Sequence, residues 1–235
     1  MSKVPTIIRK EWEEMFRNRI VLYTMIVPPL LFVGLAVGTA AGTSAALSSD
    51  GVSADGLAEI SSITGQICDG LSGEDCMQVY LGSIYLIMFL LLPAILPAVF
   101  ASYSVIGEKV GKTLEPLLAA PITTRDLLMG KALAAAIPAI LATWLACTVF
   151  YVAIWGVAGK AVLVRLMDPS WILAVLVTAP LLAILTVLIA MMISSRVQDP
   201  RTAQQLSSLV VVPMIGGLIA QSVGLMIMTP QFVLF

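Results

Sequence analysis

GEKVGKTLEPLLAAPITTRDLLMGK, residues 107–131, is the stretch that decides how the rest of the chain is read. It holds four of the 13 basic and three of the 14 acidic residues, yet it lies between two long apolar runs. The 235 residues as a whole are 59% hydrophobic and 11% charged, with a mean hydropathy of +1.01. A soluble domain carries about 25% charged residues, so there is too little polar surface here to cover a water-exposed globule. The apolar runs are therefore membrane spans, and the charged stretch is a loop between two of them. Only helices or a closed barrel satisfy their own backbone groups in lipid. The fold class that follows is all-α, a polytopic membrane helical bundle.

Toward the N-terminus, residues 80–106 form a span carrying Pro93 and Pro97, which remove backbone donors and predict a bend. Residues 43–79 before it are rich in Gly, Ser and Thr, with six acidic residues and no Lys or Arg. Cys68 and Cys76 flank a short acidic segment there; they read either as a disulfide, if the loop is external, or as two free thiols. Residues 20–41 are an uncharged span, and Gly34, Gly38 and Gly42 set small residues along one face. That row suits close packing of another helix, such as a second subunit, or is ordinary glycine in a membrane helix. In residues 4–19, Val4, Ile7, Ile8, Trp12, Met15 and Phe16 recur at helical spacing opposite Arg9, Lys10, Glu13, Glu14 and Arg17. This predicts an amphipathic helix in the headgroup region with Trp12 as its interfacial anchor; the alternative is a plain cytosolic lead-in.

Toward the C-terminus, a third span runs over residues 132–157 with Pro138, Trp144, Tyr151 and Trp155. Residues 158–170 read as a short loop with Lys160, Arg165 and Asp168, followed by a fourth span at 171–193. A polar turn at 195–204 leads to a fifth span at 205–228, interrupted by Pro213 and Gly216–Gly217. Placing residues 1–19, 107–131 and 194–204 on one side collects eleven of the 13 basic residues there, and that side is cytosolic by the positive-inside rule. The expected organisation is a single transmembrane domain over 1–235. Its cytosolic helix lies within 1–19, its external loop at 43–79 and its cytosolic loop at 107–131. The expected location is the plasma membrane, crossed several times, with the N-terminus in the cytosol.

Several chemistries are excluded. GEKVGKT at 107–113 has three residues between Gly107 and Gly111 where a phosphate-binding loop needs four, and no buried strand precedes it. Gly70-Leu71-Ser72-Gly73 would need a base for its serine, and Glu13-Glu14 would need metal-binding histidines; the chain has no His. No span as delimited above contains an ionisable Asp, Glu, Lys or Arg, which argues against an ion-coupled carrier. Thr143, Thr178, Thr186, Gln221 and Ser222 are the polar groups left in the spans, and they read as helix packing.

Within 107–131, Glu108–Leu118 continues the second span as a polar helical end, which Pro116 and Pro121 break. Leu114, Leu117 and Leu118 make a small apolar face beside Lys112 and Glu115. Thr123-x-x-Asp126 is a capping-box start for a new helix. The segment is either a docking surface for a cytosolic partner or a solvated loop that keeps positive charge inside.

The run E-K-x-x-K-T-L-E-P-L-L-A-A-P-I-T at 108–123, with Gly130-Lys131 after it, resembles the cytosolic loop of ABC-2 type exporter permeases. The sodium- and drug-exporter branch is nearest in flavour. The opening I-I-R-K-E-W…R-N-R and a first span with Pro28-Pro29 resemble that family as well. The resemblance implies a transmembrane subunit, not itself an enzyme, that moves a substrate out of the cell. A separate ATPase would supply the energy, with ATP and Mg held in that partner and none in this chain. It implies two permease copies, identical or related. It carries Glu108, Lys109, Thr113, Leu114, Glu115, Leu117, Leu118 and Pro121 over as the ATPase-coupling segment; Val110 stands where the family often has a charge. The family has six spans, so the five visible here imply a sixth helix beyond Phe235. The rival reading is a non-transporting scaffold subunit that docks a cytosolic protein through the same loop. No catalytic, cofactor-binding or metal residue is expected.

Overall fold

The computed structural model describes residues 4–48, 71, 73–110, 123–197 and, further on, 202, 205–206, 208–213, 215–216 and 219. All regular structure among the described residues is helical: α1 (Val4–Arg17), α2 (Arg19–Ser48), α3 (Gly73–Phe89), α4 (Leu92–Val110), α5 (Thr124–Val157), α6 (Gly159–Leu166), α7 (Pro169–Arg196) and a short 3-10 turn, Ser208–Val211. Among the described residues, four stretches are long and apolar enough to cross a bilayer: Val21–Ala45, Glu74–Ala101, Thr124–Val157 and Trp171–Arg196. At 1.5 Å per residue each exceeds a hydrocarbon core of about 30 Å. The protein is an all-α polytopic membrane bundle. The fifth expected span, 205–228, falls mostly outside the described residues.

Three local expectations change. The span bent by Pro93 and Pro97 is two helices, and the break comes earlier, at Leu90–Leu91. There the N–H of Leu90 bonds the carbonyl of Ile87 and that of Ala94 the carbonyl of Leu91, a tight three-residue spacing. Pro93 then sits in the first turn of α4, where a missing N–H removes no helical bond. Residues 158–170, read as a loop, contain the two-turn helix α6, whose Val162 and Leu166 are buried. The third span starts at Thr124 rather than 132, so Arg125, Asp126 and Lys131 lie on its opening turns.

The chain divides into two compact units, to both of which α2, α5 and α7 contribute. One comprises Met1–Pro28, Leu91–Thr143 and Ala179–Met214. Its core holds Leu92, Ala94 and Leu96 from α4, Ala139 from α5, and Ala179, Ala183, Val187 and Ala190 from α7, all essentially buried. Alanine at this spacing lets helices pack closely where lipid supplies little hydrophobic drive between them. The 3-10 turn packs on α4 in the same unit.

The other unit comprises Pro29–Leu90, Trp144–Thr178 and Ile215–Phe235. Here α6 packs on α3. Leu166 fits against Gly82, where an added Cβ would fall 2.6 Å from its Cδ1. Phe89 and Phe150 meet with ring centroids 5.3 Å apart. Polar ties fix α2 to α3: Thr39 Oγ1 donates to Tyr85 Oη at 3.2 Å, and Gln78 Nε2 to Ser44 Oγ at 2.9 Å. Leu30, Leu145 and Val152 are exposed, as lipid-facing side chains are.

Candidate functional site

The charged segment re-enters the bundle at Thr123. The N–H of Asp126 donates to Thr123 Oγ1 at 3.2 Å, the hydroxyl donates to Asp126 Oδ2 at 2.8 Å, and the N–H of Leu127 reaches the carbonyl of Thr123. Thr123-x-x-Asp126 is the capped start of α5 that the sequence predicts, and it satisfies amide groups otherwise orphaned at a helix N-terminus.

Immediately beyond this cap, α1 docks on α5. Gly130 makes room for it: an added Cβ there would lie 2.7 Å from Ile7 Cγ2 and 2.9 Å from Ile7 Cβ. One residue on, Lys131 Nζ donates to Glu11 Oε1 at 2.9 Å, with side chains only 5% and 7% exposed. Two charges so buried are tolerable only as a pair, because each alone would keep its desolvation cost with no attraction to offset it. One helical turn further, Trp12 Nε1 donates to the carbonyl of Ala134 at 3.0 Å. That carbonyl has a particular need. Its regular helical donor would be the N–H of residue 138, and residue 138 is proline. The indole replaces the donor that Pro138 lacks.

The expected amphipathic helix is therefore present over Val4–Arg17, and Trp12 bonds α5. Glu11 is the residue sequence reasoning passed over. Val4, Ile7, Ile8, Trp12 and Met15 define the apolar stripe, and Glu11 occupies the stripe's i+7 position. A carboxylate in an apolar stripe was the available signal that a cation waits across the interface. The solvated face is ordinary by comparison: Arg9 pairs with Glu13 and Lys10 with Glu14, all well exposed and i,i+4.

Of the expected coupling residues, Glu108 and Lys109 lie in the last turn of α4. Thr113, Leu114, Glu115, Leu117, Leu118 and Pro121 lie outside the described residues, as does Cys68. Cys76 is buried near the start of α3 and is disulfide-bonded, while Cys147 on α5 is free. Gly34, Gly38 and Gly42 on α2 open onto space with nothing within 4 Å of an added Cβ. Thr143 bonds its own helix at Ala139, whereas the buried hydroxyls of Thr186 and Ser194 have no hydrogen-bond partner among the described residues. Among the described residues no His, Cys, Asp or Glu side chains gather as a metal site would require.

The arrangement ties α1 to the start of α5 and can hold and transmit position. A family profile described as ABC-2 family transporter protein matches residues 5–232. No curated protein and no solved structure matches the chain.

Proposed function

The chain belongs to the ABC-2 transporter family, and on that premise we propose that it is an exporter subunit driven through the segment at 107–131. It is a multi-pass membrane protein and the permease subunit of an ABC transporter, a family that works with an ABC ATPase. In our reading residues 1–235 act as one permease domain in the plasma membrane with the N-terminus cytosolic. The branch is that of sodium and drug exporters. Two copies, or one copy and a related permease, enclose the path, and the glycine row of α2 packs against a neighbouring helix. ATP and Mg bind in the partner. Glu108, Lys109, Thr113, Leu114, Glu115, Leu117, Leu118 and Pro121 form the surface on which that partner presses. Cys68 is the disulfide partner of Cys76 in an external loop.

The observation that carries this reading is the joint at the segment's end. A push delivered between Val110 and Thr123 arrives at a capped helix start that is locked to α1 by a buried ion pair and an indole hydrogen bond. A rigid joint passes a displacement on to both helices, whereas a solvated loop would absorb it. The test is to co-express the chain with its ATPase and introduce Glu115→Arg or Leu117→Asp. Insertion and ATP hydrolysis are expected to persist while efflux of sodium or of a fluorescent cationic drug falls to background. Full efflux in both variants would remove the segment from the drive mechanism.

A further inference from the structure

On the unit that holds α6, a groove of about 440 Å³ opens between α5, α6 and α7, within the size range of small-ligand sites. Trp144, Tyr151, Trp155, Leu163, Met167 and Leu176 are among its walls, which are almost wholly apolar. Its length on α5 identifies an occupant. Trp155 stands near the end of α5, and Trp144 lies eleven residues deeper, about 16 Å along the helix. Half of a hydrocarbon core of about 30 Å is the depth of one leaflet. With the end of α5 set at the headgroup level, the groove is as long as one leaflet is deep, the length of an acyl chain.

A cation stands at its mouth. Lys160, Leu163 and Met167 fall at i, i+3 and i+7, so Lys160 shares the face of α6 that lines the groove. Lys160 is exposed, and Lys160, Arg165 and Asp168 leave the 158–168 connection with a net charge of +1. By the charge count this is the side with only two of the 13 basic residues, and both are on α6. A cation placed against the topological bias, above a chain-length apolar slot, matches a phosphate above its acyl tail.

We propose that this groove is a binding site for an anionic phospholipid of the surrounding bilayer, with one acyl chain between α5 and α7 and the phosphate at Lys160. The groove residues are distinct from those of the proposed coupling segment.

The test uses the full chain reconstituted in vesicles doped with dibrominated phosphatidylglycerol or dibrominated phosphatidylcholine, with tryptophan quenching as the readout. Two of the four tryptophans, Trp144 and Trp155, line the groove. At equal mole fraction the anionic lipid should occupy the site about fivefold more tightly, the worth of one lysine near a charged surface. Lys160→Gln should abolish that preference and Lys160→Arg retain it. The surplus quenching should vanish in Trp144→Phe/Trp155→Phe and survive in Trp171→Phe. Equal quenching by the two lipids in the unaltered chain overturns the site, as does a preference untouched by Lys160→Gln. A surplus that survives without Trp144 and Trp155 places the lipid elsewhere and overturns it equally. Absence of quenching by either lipid means another protein surface covers the groove, which also ends the proposal.

Discussion

α1 and α6 are both short amphipathic helices fastened to α5, the first near its start and the second near its end. Each uses the same small device, an aromatic donor aimed at a carbonyl that its own helix leaves without a partner. Trp12 reaches the Ala134 carbonyl, freed by Pro138; Tyr151 Oη reaches the Leu166 carbonyl at 3.3 Å, at the C-terminus of α6. The rest of the attachment differs. α6 is held by side chains sunk into apolar surroundings, Val162 and Leu166, with Leu166 against Gly82. α1 has a comparable apolar fit, Ile7 against Gly130, and adds to it a buried ion pair. Apolar burial is non-directional and tolerates sliding, whereas a buried Lys–Glu pair has one register in which both charges are satisfied. The fastening that includes a directional pair stands beside the segment we propose transmits force, and the mainly apolar one beside the groove we propose holds a lipid.

The sharpest way to break this comparison is at the ion pair. Glu11→Leu alone, or Lys131→Met alone, should destabilise the purified protein by about 3–5 kcal/mol, because each breaks a buried ion pair from one side. The double variant Glu11→Leu/Lys131→Met should recover most of the loss. A thermal-unfolding cycle measures the coupling; additive effects would make the joint no more directional than α6.

Leu166→Ala comes next, at about 2–5 kcal/mol, since it empties a fully buried site facing Gly82. Combined with Glu11→Leu it should be additive, as expected of sites with no shared partner. Strong coupling between them in the same unfolding assay would erase the distinction between two separate fastenings.

The smallest effect concerns the shared device. Trp12→Phe should cost about 1–3 kcal/mol, the penalty for leaving the Ala134 carbonyl unsatisfied away from water. In a Pro138→Ala background the helix regains its own donor at residue 138, so the same substitution should cost measurably less. An equal loss in both backgrounds would show that Trp12 contributes packing alone.

Much of the architecture was legible from residue pattern. Four of the five expected spans, the capped start at Thr123 and the extent of α1 follow from hydropathy, capping chemistry and helical period, each a property of neighbours in sequence. Where the reading slipped, local pattern was ambiguous. Eight residues of α6 are too few for periodicity to separate helix from loop, although Val162 and Leu166 at i,i+4 were a trace of it. The break at Leu90–Leu91 was expected at the prolines, but a proline is comfortable in the first turn of a helix, so the chain bends just before it.

By itself the sequence determined that this chain lives in a membrane, that its spans are helical and that one charged loop departs from the apolar pattern. Lipid imposes those outcomes on any chain so poor in charge, because the backbone must satisfy itself and the polar residues must leave. Only the tertiary structure decided that Glu11 lies over Lys131, that Trp12 supplies the bond Pro138 withholds, and that α5, α6 and α7 leave an apolar groove between them. Such pairings join residues as much as about 120 positions apart in the chain, and local pattern carries no record of which helix faces which.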